Sequence, residues 1–189
     1  GLTVSSAAVD VIDGTRSASA LSQTFAAQDE RIIPTQADPY VVSVLGRLGE
    51  GASAALYVFA SSGVTPRWNC YVKDPTATGV TAGVQIAPAL PAEATVALAD
   101  EYVMEFAVSG GNYVLYVNGA VALTGAIAAA GIDTVNLTAS RVTGSAPSPS
   151  FDDLVVMPGG RAQYRKTLAS AKRYQYSFRC RRNPDVAAG

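Results

Sequence analysis

The chain has 189 residues, contains no histidine, and balances 14 Lys+Arg against 15 Asp+Glu for a formal net charge of −1. Hydrophobic residues make up 49% and charged residues 15%, so the composition excludes a largely disordered chain. The lack of histidine excludes Ser-His-Asp triads, Cys-His pairs and histidine-based zinc sites. We expect neither a signal peptide nor a membrane span, since no run approaches about 20 apolar residues.

The charge is divided unevenly between two parts of the chain. Residues 1–160 carry six basic and fourteen acidic residues, a net charge of −8. Residues 161–189 carry eight basic residues and one acidic residue, a net charge of +7. The change follows a Pro-Gly-Gly sequence at 158–160, which favours a turn or hinge. We therefore predict a folded domain over residues 1–158 and a basic C-terminal arm over residues 159–189.

A period-two alternation of apolar and polar residues dominates the domain. Short segments rich in Val, Tyr, Phe and Thr are bounded by Gly, Pro, Asn and Asp, a pattern typical of β-strands joined by turns. No window shows an amphipathic helical stripe bounded by capping residues. The sequence therefore predicts an all-β antiparallel sandwich or barrel. The predicted strands are residues 40–48, 54–60, 67–73, 102–108, 113–117, 134–142 and 154–157.

Two turn sequences predict a three-stranded meander between residues 102 and 123. Asn118-Gly119 separates YVLYV from AVAL, and this pair favours a type I′ turn because both residues tolerate positive φ. The sequence SGGN at 109–112 divides YVMEFAV from YVLYV in the same way.

The stretch EYVMEFAVSGGNYVLYVNGAVALTG, residues 101–125, resembles the central meander of concanavalin A-like and laminin G-like jelly-roll domains. The segment FDDLVV at 151–156 is similar to the closing strand of the same group. The resemblance implies an antiparallel jelly-roll β-sandwich, followed here by the extended C-terminal arm. It also implies that the closing strand pairs near an N-terminal strand, for which residues 8–12 are the candidate. It leaves the function open, because this fold is shared by lectins, glycanases and structural modules.

Catalysis requires carboxylates at a suitable separation, which the meander does not supply. Glu101 and Glu105 share a face of the predicted strand, but their Cα atoms would lie about 13 Å apart. A retaining glycosidase holds its two carboxyl groups about 5–5.5 Å apart. We therefore predict that the protein is not an enzyme, that Asp100 and Glu101 are turn acids, and that Glu105 faces solvent.

Metal and cofactor sites are not predicted either. Asp152-Asp153 is the nearest equivalent to the clustered acids of calcium-dependent lectins, but Asp152 resembles the structural aspartate of the closing strand. Cys70 and Cys180 lie in no metal-ligand spacing, and we interpret them as buried or incidental thiols.

A glycan site needs an aromatic side chain for the apolar face of the sugar and polar groups for its hydroxyls. Two segments could supply these groups, one in the strand at 67–73 and one at the turn near 112. Trp68 has a second interpretation, because a lone Trp in a strand rich in Val and Tyr is more often part of a core. The candidate glycan-binding residues are Trp68, Asn69, Tyr71, Asn112 and Tyr113.

The arm alternates aromatic and basic residues between 172 and 182. In a strand this pattern places aromatic side chains on one face and arginines on the other. We expect the arm to add as a strand to a sheet of a neighbouring subunit. Its arginines would then contact acidic side chains of residues 1–160, which carry a net charge of −8. A nucleic-acid-binding tail is the less favoured interpretation. The residues expected to form the assembly contact are Arg173, Tyr174, Tyr176, Phe178, Arg179, Arg181 and Arg182.

Two functional hypotheses follow. The first is a non-enzymatic structural protein that assembles through its arm with copies of itself or other subunits. Its low charge, its jelly-roll signature and its arm resemble a bacteriophage virion component, such as a tail, fibre or capsid-decorating subunit assembled in the host cytoplasm. The alternative is a lectin-like module that binds a host-surface glycan during adsorption. Neither hypothesis requires a cofactor or a membrane.

Overall fold

The computed structural model describes residues 3–5, 17–19, 27–48, 54–128, 130–140 and 149–161. The arm residues 173–182, Cys180 and the candidate N-terminal strand at 8–12 lie outside these ranges. None of the described residues belongs to a helix long and apolar enough to cross a membrane. Within the described ranges the strands are β1 (Thr3–Ser5), β2 (Ser17–Ser19), β3 (Ala27–Gln36), β4 (Tyr40–Arg47), β5 (Ala55–Ser62), β6 (Thr65–Thr76), β7 (Gly79–Ile86), β8 (Ala92–Val96), β9 (Tyr102–Ser109), β10 (Asn112–Val117), β11 (Ala120–Ala126), β12 (Ile132–Ser140) and β13 (Ser150–Pro158).

The strands form two antiparallel sheets that pack face to face. A seven-stranded sheet has the order β1-β2-β13-β4-β9-β10-β11, and a six-stranded sheet has the order β3-β12-β5-β6-β7-β8. Buried apolar side chains from both sheets fill the space between them. This arrangement confirms the predicted all-β, antiparallel jelly-roll sandwich.

Aromatic side chains join the two sheets within the core. Trp68 of the six-stranded sheet stacks on Phe106 of the seven-stranded sheet, with ring centroids 4.0 Å apart. Phe106 also stacks on Tyr113, at 5.3 Å. The indole N–H of Trp68 donates a hydrogen bond of 2.9 Å to the hydroxyl of Tyr40. The polar atoms of two large buried side chains therefore satisfy each other, and their full aromatic area contributes to the core.

The predicted meander is confirmed, with tight turns at both positions. Asn118 and Gly119 have φ values of 50° and 84°, and they connect the paired residues Val117 and Ala120. Gly110 and Gly111 also have positive φ, and both of their N–H groups donate to the carboxylate of Asp38 at 2.9 Å. These side-chain contacts fasten the β9–β10 turn to the segment before β4.

The closing strand β13 pairs with β4 on one side and with β2 on the other. It thus pairs with an N-terminal strand, as the jelly-roll resemblance implies, and the described partner is Ser17–Ser19 rather than the candidate at 8–12. The six-stranded sheet contains three strands that the sequence did not predict, β3, β7 and β8.

The environment of Glu105 differs from the prediction. Its side chain lies on the face of the seven-stranded sheet turned away from the core, between the core residues Met104 and Phe106. Glu105 is nevertheless only 1% exposed, and its Oε2 accepts a 2.8 Å hydrogen bond from Nε of Arg161. The Arg161 guanidinium also stacks on Tyr116, 3.6 Å from the ring centroid. The prediction of a solvated Glu105 is therefore wrong.

Candidate functional site

A groove of about 660 Å³ lies on the outer face of the six-stranded sheet. Its floor is formed by strands β12, β5, β6 and β7, and its rim by the β5–β6 and β7–β8 turns. The lining residues are Phe59, Ala60, Ser61, Gly63, Val64, Pro66, Trp68, Asn69, Gln85, Ala87, Pro88, Thr134 and Asn136. A concave site of this size, with apolar and hydrogen-bonding groups together, has the character of a small-ligand pocket.

The register of the strands creates a row of side chains across the floor. Asn136 pairs with Phe59, Phe59 pairs with Asn69, and Asn69 pairs with Gln85. Residues directly opposite one another in an antiparallel sheet project from the same face. Four strands therefore bring one aromatic ring and three amide side chains into a single line.

The amides in this row form a partly satisfied network. Asn69 donates from Nδ2 to Oε1 of Gln85 at 3.1 Å, and Gln85 donates from Nε2 to the carbonyl of Ala89 at 3.1 Å. The Oδ1 atom of Asn69 is buried and accepts no hydrogen bond within the described part of the chain. An unpaired buried acceptor is costly, and this one belongs to a residue that lines the groove.

One wall of the groove is the turn between β5 and β6. The backbone N–H of Gly63 donates to both carboxylate oxygens of Asp133, at 2.9 and 3.0 Å. This bifurcated contact fixes the turn against β12. Val64, at the tip of the turn, is 99% exposed, so the wall presents apolar surface to solvent. The opposite wall is the segment Ala87-Pro88 after β7.

Beside the groove, the same face of the sheet carries an aromatic strip, which we define as Phe59, Tyr57 and Tyr71. The Tyr57 and Phe59 rings lie 5.8 Å apart, and the Tyr57 and Tyr71 rings 5.1 Å apart. The strip starts in the groove, at Phe59, and crosses from β5 to β6.

The strip ends at a charged pair. Tyr71 donates from its hydroxyl to Oε1 of Glu93 at 2.6 Å, and Lys73 contacts the same oxygen at 3.0 Å. Burial, and then the hydrogen bond to Glu93, raise the pKa of Tyr71. The hydrogen bonds from Tyr71 and Lys73 lower the pKa of Glu93. The Lys73 and Glu93 charges therefore neutralise each other at this end of the face.

The structure separates the five residues predicted to bind glycan. Asn69 lines the groove, and Tyr71 lies in the aromatic strip next to it. Trp68 borders the groove but is 2% exposed, and Tyr113 is 6% exposed, so neither ring offers a face to a sugar. Asn112 is an exposed turn residue of the seven-stranded sheet and donates to the carbonyl of Gly110. The five residues therefore do not form one site. The alternation of side chains along β6 and β10 places Trp68 and Tyr113 in the core.

No protein-family model and no curated protein matches the sequence, whereas solved structures share its architecture. A tetrameric galectin from Cinachyrella sp., a ball sponge, aligns with a TM-score of 0.55 at 6% identity, over 69% of this chain and 99% of the galectin. The CBM2 module of the evolved Dit of Lactobacillus casei BL23 phage J-1 aligns with a TM-score of 0.61 at 10% identity, over 74% of this chain and 75% of that one. A legume lectin-like domain from Entamoeba histolytica aligns with a TM-score of 0.54 at 10% identity, over 79% and 87% of the two chains. The chain has a lectin-like jelly-roll fold.

Three residues of the row across the groove floor, Phe59, Gln85 and Asn136, were not among the site residues predicted from the sequence. Asn136 lies between Val135 and Leu137, and Gln85 follows Val84. An amide at the outward position of an apolar strand is a usable signal, since such positions more often carry Thr or charged residues. The signal identifies candidates only; which of them meet depends on the pairing of four strands.

Acidic residues elsewhere on the lectin-like jelly roll are held by arginines. Glu101 contacts Arg47 at 3.1 Å, and Glu105 contacts Arg161 at 2.8 Å. The two carboxylates predicted to be too far apart for joint catalysis thus have separate cationic partners. Among the residues described, no three His, Cys, Asp or Glu side chains form a group that could hold a metal ion.

Proposed function

We propose that the protein is a non-catalytic glycan-binding module and that the groove on the six-stranded sheet holds the sugar. The observation that carries this proposal is the row of Asn136, Phe59, Asn69 and Gln85 across the floor. Amides both donate and accept hydrogen bonds, as sugar hydroxyls require. The ring of Phe59 supplies a surface for the apolar face of a sugar.

The chemistry of the lining supports binding rather than turnover. A glycosidase needs a proton donor and a base or nucleophile close to the scissile bond. Among the residues that the structure describes, those that line the groove include neither carboxylates nor any other titratable side chain. A bound sugar would therefore be held and oriented without a group to protonate its glycosidic oxygen.

The proposal is tested with a glycan array followed by calorimetric titration of the best ligand. Gln85→Ala and Asn136→Ala are each expected to weaken binding about ten-fold, since each removes a hydrogen bond worth about 1–1.5 kcal/mol. Asn112→Ala is the matched control, because it removes an amide on the other sheet and should leave affinity unchanged. Array binding that survives both groove substitutions would place the sugar elsewhere, and no binding to any glycan would refute the proposal.

A second function is favoured by the position of Arg161, the first basic residue of the predicted arm. Arg161 is bound to Glu105 on the outer face of the seven-stranded sheet, whereas the groove lies on the outer face of the six-stranded sheet. The arm therefore starts on the side of the sandwich opposite the groove. We propose that it attaches the domain to copies of itself or to other subunits of a virion, so that the groove faces outward. The phage Dit module shares the fold, which supports this second proposal without deciding it.

The attachment role is tested with a chain that ends at Arg161, which keeps the contact with Glu105. This shortened chain should remain folded but lose self-association or incorporation into particles, measured by light scattering and by sedimentation with the assembled particle. Normal assembly of the shortened chain would refute the attachment role. Binding of the full chain to DNA with a steep salt dependence, and no self-association, would instead assign the arm to nucleic acid.

A further inference from the structure

We infer, on the basis of the proposed glycan-binding function, that the ligand is an uncharged oligosaccharide of at least two sugar units. The groove would hold one unit, and the aromatic strip would support the next.

The described residues that line the groove carry no charged side chain. Of the thirteen described residues that line it, none is Asp, Glu, Lys, Arg, His, Cys or Tyr. An anionic sugar, such as a sialic or uronic acid, would have to give up hydration of its carboxylate on entering the groove. Without a cation to replace that hydration, the transfer is unfavourable.

Of the charged side chains that the structure describes near the groove, Asp133 and Lys73 are paired and Arg67 lines another cavity. Both carboxylate oxygens of Asp133 accept from the Gly63 N–H, and its Oδ1 also accepts from the Thr134 hydroxyl at 3.1 Å. Lys73 contacts Glu93 at 3.0 Å and Asp74 at 3.7 Å. Arg67 borders a separate cavity of about 70 Å³, with Ile127 and Ala128 among its neighbours, and does not line the groove.

Arg67 and Lys73 are the two cations of β6, the central strand of the groove floor. Neither offers a free positive charge inside the groove, because one lines the separate cavity and the other is bound by two carboxylates. Recruiting Lys73 to an anionic sugar would require breaking its contact with Glu93. An acidic glycan therefore gains no compensating ion pair from the described side chains of this face.

The second argument is the continuation of the surface beyond the groove. Phe59 belongs both to the floor and to the aromatic strip, and Tyr57 lies 5.8 Å from it along β5. Tyr57 is partly exposed, whereas Tyr71 is 4% exposed and acts as a support for Tyr57. A sugar chain seated over Phe59 thus meets a second aromatic platform at Tyr57, which a single sugar in the groove would not cover.

These two arguments are tested on the full chain with an array that carries neutral, sialylated, sulfated and uronic-acid glycans. Binding is expected to be confined to neutral oligosaccharides. The affinity for the strongest neutral glycan should change less than about two-fold when NaCl is raised from about 0.02 to about 0.5 M, because no charge pair forms. Preferential binding of acidic glycans, or a steep loss of affinity with salt, would overturn the inference while leaving glycan binding intact. Absence of binding to every glycan would instead refute the proposed function itself.

The two-unit requirement is tested by comparing the strongest neutral oligosaccharide with its terminal monosaccharide. Tyr57→Ala should weaken oligosaccharide binding about five- to ten-fold and monosaccharide binding less than about two-fold. Tyr57→Phe is the control and should retain both affinities, since the ring is kept. Gln85→Ala should weaken both ligands equally. Equal effects of Tyr57→Ala on the two ligands, or none on either, would show that the strip does not bind a second unit.

Discussion

At the scale of single residues, Gly83 determines the position of Tyr71. The two residues are register partners on β7 and β6, and a Cβ atom at Gly83 would overlap the Cζ, Cε2 and Oη atoms of the Tyr71 ring. The ring therefore lies flat over the backbone of β7, where only a glycine leaves room for it. This placement carries the Tyr71 hydroxyl across β7 to Glu93 on β8.

Gly83→Ala should accordingly destabilise the protein by about 1–3 kcal/mol, the usual effect of inserting a methyl group into a filled site. The Tyr71 ring would have to turn away and would lose its hydrogen bond to Glu93. Chemical denaturation of the variant measures the loss. In a Tyr71→Ala background the same substitution should cost less than about 0.5 kcal/mol, because nothing remains to be displaced. An equal cost in both backgrounds would show that the close approach to Tyr71 is not the cause.

At the scale of the strands, the sequence predicted those elements whose local chemistry is strong. Alternating Val, Tyr and Phe identified β4, β9 and β10, and Asn118-Gly119 identified the turn into β11. β7 was missed because its sequence, GVTAGVQI, contains two glycines that lower strand propensity. The close approach of Tyr71 explains why position 83 is a glycine. Tyr71 lies twelve residues away in sequence, so the local pattern around Gly83 does not reveal the reason.

The candidate site was only partly predictable for a related reason. Asn69 was identified because it lies beside Trp68 and Tyr71 in one segment. Gln85 and Asn136 join it only through the pairing of β6 with β7 and of β5 with β12. Strand pairing is a long-range property, and the sequence of a single strand does not specify which strands pair with it.

The junction between β13 and the arm depends on the contact of Arg161 with Glu105. Arg161→Ala should destabilise the protein by at least about 2 kcal/mol, somewhat less than the ~3–5 kcal/mol for breaking a fully buried pair. The expected loss of stability is smaller than for a fully buried pair because the Arg161 side chain is 27% exposed, although that of Glu105 is only 1% exposed. Thermal and chemical unfolding both measure this loss.

Two further variants separate this contact from general surface effects. Glu101→Gln removes the partner of Arg47 in a more exposed pair and should cost no more than about 1 kcal/mol. Adding Glu105→Gln to Arg161→Ala should recover part of the loss, since a neutral amide is less costly to bury than a carboxylate. No recovery in the double variant would show that stacking of Arg161 on Tyr116, rather than charge, holds the junction.

At the scale of the whole molecule, several buried tyrosines and the buried thiol of Cys70 have raised pKa values and therefore resist deprotonation. Burial raises the pKa of Tyr40 from 10.0 to about 12, despite the opposing hydrogen bond from Trp68. Burial is also the main cause of the raised pKa values of Tyr71, Tyr102 and Tyr113. The free thiol of Cys70 is buried, and its pKa is raised for the same reason.

The protein should therefore unfold at alkaline pH. In each of these groups the folded pKa lies above the unfolded value, so the fold favours the protonated form. Its contribution to stability is complete below the unfolded pKa and is lost as the pH rises through the folded pKa. Because the unfolded values are 9.0 for the thiol and 10.0 for the phenols, the free energy of unfolding should be flat up to about pH 8–9 and fall steeply beyond it.

Denaturation midpoints measured from pH 7 to about 12, together with ultraviolet absorbance of tyrosinate, test this expectation. Ionisation of the buried tyrosines should coincide with the loss of the near-ultraviolet circular dichroism of the Trp68 stack, since they titrate only when the core opens.

Tyr40→Phe should be less stable at neutral pH, because Trp68 loses its acceptor, but its stability should fall less steeply with pH. For Tyr40, whose pKa is raised from 10.0 to about 12, the titration contributes on the order of 3 kcal/mol, as each pKa unit corresponds to about 1.4 kcal/mol. If all tyrosines ionise near pH 10 while the folded signal persists, the aromatic core is open to solvent and the packing of Tyr40 against Trp68 is not as described.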